Sequence, residues 1–255
     1  MQLILNPGHR ESPPLHLALC PLNAKGVFLM RRRLLSAAPM LVAALVVVGL
    51  VLALDACGAG GAKEDAKARH LPEGSYPIAL HPGEYRSNSF EPSLSFTVGK
   101  GWNNDRLETS DKLAISRGGE EPSILIFRNV QEVYNYDKTG TSPEVVKAPK
   151  DMVGWFQHHP FLDTDKPEPA TVGGAKGVQF DYVVSEDFPS EEITLFRYTD
   201  DSTADQGKDY KHRAIILESV KGKTVTIGID SPTAEFDDFL PKAQKVLDTV
   251  KWTGS

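Results

Sequence analysis

The chain has 255 residues, 40% hydrophobic and 24% charged, an ordinary globular composition with room for one or two domains. The net charge of −6 is unevenly spread: up to Cys57 there are five Lys/Arg and two acids, which leaves 23 basic and 32 acidic residues beyond, a downstream charge of −9. An acidic body excludes a nucleic-acid footprint, which needs a basic face, and a polybasic grip on anionic lipid.

Residues 1–29, "MQLILNPGHRESPPLHLALCPLNAKGVFL", fit neither a signal nor a domain, because Pro7, Pro13, Pro14 and Pro21 break any helix. The reading is an over-extended start, with translation beginning at Met30; the alternative is a cytosolic tail carrying a reduced Cys20. Residues 30–57 have the layout of a secretory signal or membrane anchor. Arg31, Arg32 and Arg33 form a positive n-region, and Ala37 to Leu54 is an eighteen-residue run without a charge. As a helix that run reaches roughly 27 Å, nearly a bilayer core. The stretch Leu54-Asp55-Ala56-Cys57 resembles the lipobox of bacterial lipoproteins, with Leu54, Ala56 and Cys57 matching and Asp55 departing from the usual small neutral residue. The resemblance implies lipid on Cys57. Without processing, the same run anchors the chain as a single-pass protein. Either way the charge beside the run sets the acidic domain outside, at the outer face of the cytoplasmic membrane.

Residues 58–75 are small and charged and read as a flexible linker. Their "GAGGAK" lacks the Gly-Lys-Ser/Thr and flanking elements of a phosphate loop. The globular domain is expected over 76–255. It has no cysteine, so no disulfide and no thiolate metal site, and must be held by its core.

Within it, "LSFTVGKGW" alternates Leu94, Phe96 and Val98 before a Gly turn, and "KLAIS" follows. "SILIF" is apolar on both parities, which predicts cover on both faces. "KDMVGWFQHH" predicts a helix with Met152, Trp155, Phe156 and His159 at helical spacing, stopped by Pro160. "VGGAKG" reads as a turn between strands. "GVQFDYVVS" places Val178, Phe180, Tyr182 and Val184 on one face. "DDSTADQGKDY" reads as a mobile acidic loop. "HRAIILESVKGKTVTIGID" predicts a hairpin about Lys221-Gly222-Lys223, with Val225, Ile227 and Ile229 alternating. "AEFDDFLPKAQKVLDTV" predicts a final helix whose stripe is Phe236, Phe239, Leu240, Ala243, Val246, Leu247 and Val250, with acids first and lysines later as the dipole prefers.

The candidate chemistry is thin. His158 and His159 point about 100° apart on a helix, unlike the i, i+4 pair of a zinc helix, and read as one exposed and one buried side chain. Asp163-Thr164-Asp165 lacks the further oxygens calcium wants. No Gly-x-Ser-x-Gly elbow occurs. Trp102, Trp155 and Trp252 read as core or rim packing. No catalytic residue, cofactor site or metal site is expected.

Antiparallel strands with two separated helices give an α+β class. Laid out in this order, "LSFTVGKGW", "MVGWFQHHPFL", the hairpin and "EFDDFLPKAQKVLDTVKW" make residues 85–252 similar to the Mog1/PsbP-like α/β/α sandwich, an antiparallel sheet covered by helices on both faces. The chain also resembles secreted lipoproteins of high-GC Gram-positive bacteria, through Trp155, Pro160 and Leu162 and then Val172, Gly173 and Gly174. These resemblances imply a cell-envelope lipoprotein with a non-enzymatic binding or assembly domain and a protein or small-ligand partner. The alternative is an envelope-anchored hydrolase whose site only the fold assembles. A concave pocket with convergent polar side chains favours the enzyme, and a flat surface favours the binder.

Overall fold

The computed structural model describes residues 68–105, 108–119 and 121–253. The start at Met30, the apolar run and Cys57 lie outside the described residues.

The scaffold grows from the expected hairpin. Lys221 and Gly222 turn with φ of 52° and 80°, a two-residue turn whose twist suits strands Tyr210–Val220 and Lys223–Pro232. These strands occupy the middle of a nine-stranded antiparallel sheet. Its order runs Leu162–Thr164, Ala175–Val184, Tyr210–Val220, Lys223–Pro232, Ser123–Phe127, Lys112–Arg117, Trp102–Asn104 and Ile78–Ala79, with Glu168–Val172 also paired to Ala175–Val184. Strand periodicity assigns each face a core. Ile124, Ile126, Val225, Ile227 and Ile229 fill one, while Phe127, Ala214, Ile216, Phe180 and Tyr182 fill the other. Ser123–Phe127 is therefore buried on both sides, as its apolar run requires.

The first face is covered by a small sheet (Arg69–His70, Gly83–Arg86, Leu94–Val98 and Lys251–Trp252) and by the fifteen-residue helix Thr233–Leu247, which follows the shorter helix α1 (Met152–Gln157) in the chain and is α2. Its predicted stripe is buried at Phe236, Phe239, Ala243, Val246 and Leu247, while Pro241 sits exposed within the helix. Each such side chain contributes roughly 1.5–3 kcal/mol.

The second face departs from the expected sandwich. Its cover is a four-stranded sheet, Thr203–Gly207, Glu192–Arg197, Glu132–Asn135 and Glu144–Lys147, and helix α1 is only Met152–Gln157, six residues that bury Phe156 alone. Helices do not cover both faces; the architecture is mostly sheet. A register shift between Thr194 and Phe196 helps this sheet bury the consecutive Leu195 and Phe196. The stretch expected as a mobile acidic loop is part of it, since Thr203–Gly207 pairs with Glu192–Arg197. Its polar side chains hid a strand whose role is to roof a cavity. The ordered fold also begins before the expected boundary at 76: Arg69–His70 pairs in parallel with Gly83–Arg86, and Leu71, placed in the linker by composition, is 2% exposed.

Candidate functional site: an acidic cavity between two sheets

On the second face the apolar pattern gives way to polar side chains. His212 shares the parity of Ala214 and Ile216, Asp230 that of Thr226 and Gly228, and Ser123 that of Leu125 and Phe127. Register places His212 opposite Asp230, and Asp230 opposite Ser123, so the three lie side by side across adjacent strands. Between this floor and the strand Thr203–Gly207 lies a cavity of about 660 Å³, within the range of small-molecule pockets.

The floor is anchored by one histidine. His212 is 2% exposed, and its Nδ1 lies 2.7 Å from Asp230 Oδ1. A carboxylate only accepts, so Nδ1 donates in that bond and Nε2 is the ring's remaining hydrogen-bonding atom. That Nε2 is buried and has no hydrogen-bond partner among the described residues. The ring is stacked between Tyr182 at 4.9 Å and Tyr210 at 6.2 Å, which holds its orientation. Burial, and next the charge of Asp230, push the Tyr182 hydroxyl well above its ordinary range, so it stays protonated.

The rim is acidic. Among the described lining residues eight are carboxylates and one, Lys112, is a lysine. Lys112 is already engaged: its Nζ lies 2.5 Å from Asp200, donates to Ser202 Oγ at 2.6 Å and sits 4.6 Å from the centre of the Tyr198 ring. Burial works to raise the Asp200 carboxyl, but the hydrogen bonds from Lys112 and Ser202 outweigh it and lower the pKa to about 2. Tyr210 is pushed up to about 12, first by its hydrogen bond to Glu121 and then by burial and nearby carboxylates. Asp205 is oriented by Thr194 at 2.6 Å and Thr203 at 2.7 Å. At neutral pH Asp200 is therefore ionised and Tyr210 neutral.

The residues singled out from the sequence lie elsewhere. His158 is exposed, and His159 is 6% exposed beneath Trp155 and Tyr136, as a helix end with one buried histidine predicts. Asp163 and Asp165 border a separate, open depression with Asp181, whose carboxylate is taken by Arg213 at 2.5 Å and 3.1 Å. Trp102 is core, Trp155 donates to Asn135 at 2.8 Å, and Trp252 donates to the Val172 carbonyl at 2.9 Å. Gly173 and Gly174 form the predicted turn, with φ of 56° and 81°. Among the described residues no group of three His, Cys, Asp or Glu is placed to hold a metal ion, and no helix is long and apolar enough to cross a membrane.

Sequence reasoning missed His212, Asp230, Lys112, Asp200 and Tyr210. The usable signal was the hairpin, since His212 and Asp230 sit on its two arms. A register shift between Leu217 and Val220 conceals the pairing: counted from the turn alone, where Val220 faces Lys223, His212 would face Ser231.

No family model and no curated protein matches the chain. Among solved structures it is similar to the cyanobacterial PsbP protein CyanoP of Synechocystis sp. PCC 6803, at 9% identity and a TM-score of 0.37, over 71% of this chain and 98% of that one. It is also similar to LpqN of Mycobacterium tuberculosis, described as involved in cell envelope biogenesis, at 11% identity and a TM-score of 0.34, over 69% of this chain and 93% of that one.

Proposed function

We propose that this chain is a non-enzymatic binding module of the cell envelope, which holds a ligand in the cavity roofed by Thr203–Gly207 and is tethered at the outer face of the cytoplasmic membrane through its N-terminal segment and lipid on Cys57. The observation that carries the binding reading is a concave space of about 660 Å³ lined in part by His212, whose buried Nε2 has no hydrogen-bond partner among the described residues. A buried polar atom without a partner costs about 1–3 kcal/mol, which a hydrogen bond to a ligand would offset. The tether rests on the arginines, the apolar run and the lipobox-like end.

A concave polar pocket is also what an enzyme needs, and the order of its residues argues against one. In a nucleophile–base–acid relay the histidine stands between serine and carboxylate. Here Asp230 occupies the middle strand, with Ser123 and His212 on its two sides. Neighbouring strands are about 4.8 Å apart, so Ser123 and His212 are separated by two strand spacings and share no proton. Among the described residues only Val145 is an exposed large hydrophobic, at 42%, which supports a pocket ligand over an apolar protein interface.

The test uses detergent-solubilised full-length protein and the low-molecular-weight fraction of the producing cells. The fraction raises the Tm of the wild type, because a ligand bound only to the folded state stabilises it. It leaves Gln206→Trp, which fills the cavity from its lining, unshifted. An equal shift in both proteins, or steady consumption of a compound in the fraction, overturns the proposal.

A further inference from the structure

Resting on that reading of the cavity, we infer that its ligand is a small organic polycation carrying several N–H groups. Three features of the cavity ask for the same partner. The first is sign: eight carboxylates face a single lysine, and that lysine is paired with Asp200 at 2.5 Å. Such a concentration of one sign in a concave, partly desolvated space attracts the opposite charge and repels anions. The second is hydrogen bonding. His212 is 2% exposed with its Nδ1 committed to Asp230, which leaves Nε2 as a buried ring nitrogen without a partner among the described residues. The carboxylate oxygens around it are acceptors, which an ammonium or guanidinium donor satisfies and a carboxylate or ether oxygen does not. The third is the aromatic wall. Lys112 already rests over the Tyr198 ring, so the wall accepts a cation on its face, and Tyr210 adds a second ring beside His212.

Size separates an organic cation from a bare ion. The cavity of about 660 Å³ spreads its carboxylates along its walls, and among the described residues no three of them converge as metal ligands. Charges distributed around a space of this volume match a chain with several nitrogens.

Isothermal titration of the full-length protein in detergent tests this with three probes of similar length: spermidine, suberate and triethylene glycol. Spermidine binds, the other two do not, and raising the salt weakens binding because the rim charges are screened. Glu192→Gln and Asp209→Asn, both exposed rim positions that leave the core intact, each weaken spermidine about fivefold, what one charge pair about 4 Å apart in water supplies. His212→Gln, checked for folding by circular dichroism, also weakens it. Heat from suberate or glycol alone, heat from none of the three, or spermidine binding indifferent to both rim variants overturns the cation assignment. The Gln206→Trp result separately decides whether the binding reading falls with it.

Discussion

Acidification should destabilise the fold through a buried histidine that does not line the cavity. His159 is 6% exposed, beneath Trp155 at 5.0 Å and Tyr136 at 5.9 Å, and accepts from the Phe161 amide at Nδ1 across 3.3 Å. Burial lowers its pKa from 6.5 to about 4, and the backbone of Tyr134 opposes this only in part. Between those values the unfolded chain binds the proton and the folded chain does not, so stability rises with pH across the window. The contribution is complete above pH 6.5 and is lost as pH falls to about 4. The gap, at about 1.36 kcal/mol per pH unit, comes to roughly 3 kcal/mol. Asp200, at about 2, titrates below the window and does not mask the effect. Urea unfolding of wild type and His159→Asn at pH 7, 6, 5 and 4 reads it directly, because Asn keeps an acceptor near Nδ1 and carries no proton. The wild type should lose roughly 3 kcal/mol more than the variant between pH 7 and 4. Parallel stability curves for the two proteins would refute the reasoning.

Three further outcomes follow from packing and from the proposed tether. Leu247→Ala, at a position 1% exposed on α2, should cost about 2–5 kcal/mol in urea unfolding, and exposed Lys245→Ala should stay within about 0.5 kcal/mol; equal effects contradict the helix orientation. Gly177→Ala should cost about 1–3 kcal/mol, because a Cβ there overlaps the Ile216 carbonyl across the sheet, whereas Gly99→Ala meets nothing within 4 Å and should leave the melting temperature nearly unchanged; equal melting shifts contradict the close approach. Cys57→Ser should abolish palmitate labelling and the processed band, and recovery of the native protein from the soluble cytosolic fraction contradicts the tether.

Legibility from sequence followed the strength of each periodic signal. The long hairpin, the doubly buried Ser123–Phe127 strand and the α2 stripe were readable because five or more residues repeat an apolar spacing with clear ends. The second cover was not. Glu132–Asn135 and Glu144–Lys147 have four residues each and together bury only Val133, too little for a period of two to register. Thr203–Gly207 buries only Ala204, and its acidic residues belong to a cavity rim rather than to a solvated loop. With that sheet unseen, the resemblance supplied helices for a face that strands cover. The cavity was illegible for the same reason, since its roof is the unseen sheet and its floor depends on a shifted hairpin register.

The central claim is that binding occurs under Thr203–Gly207. That strand is the edge of its sheet, so its outward amides are open to exchange until something covers them. Hydrogen–deuterium exchange of the full-length protein, with and without the stabilising low-molecular-weight fraction, locates the ligand directly. The account predicts slowed exchange over 203–207 and along the cavity side of 112–117, with Glu144–Lys147 at the far edge of the same sheet unchanged. Protection centred on Glu144–Lys147, or a Tm increase with no protection at 203–207, would contradict it.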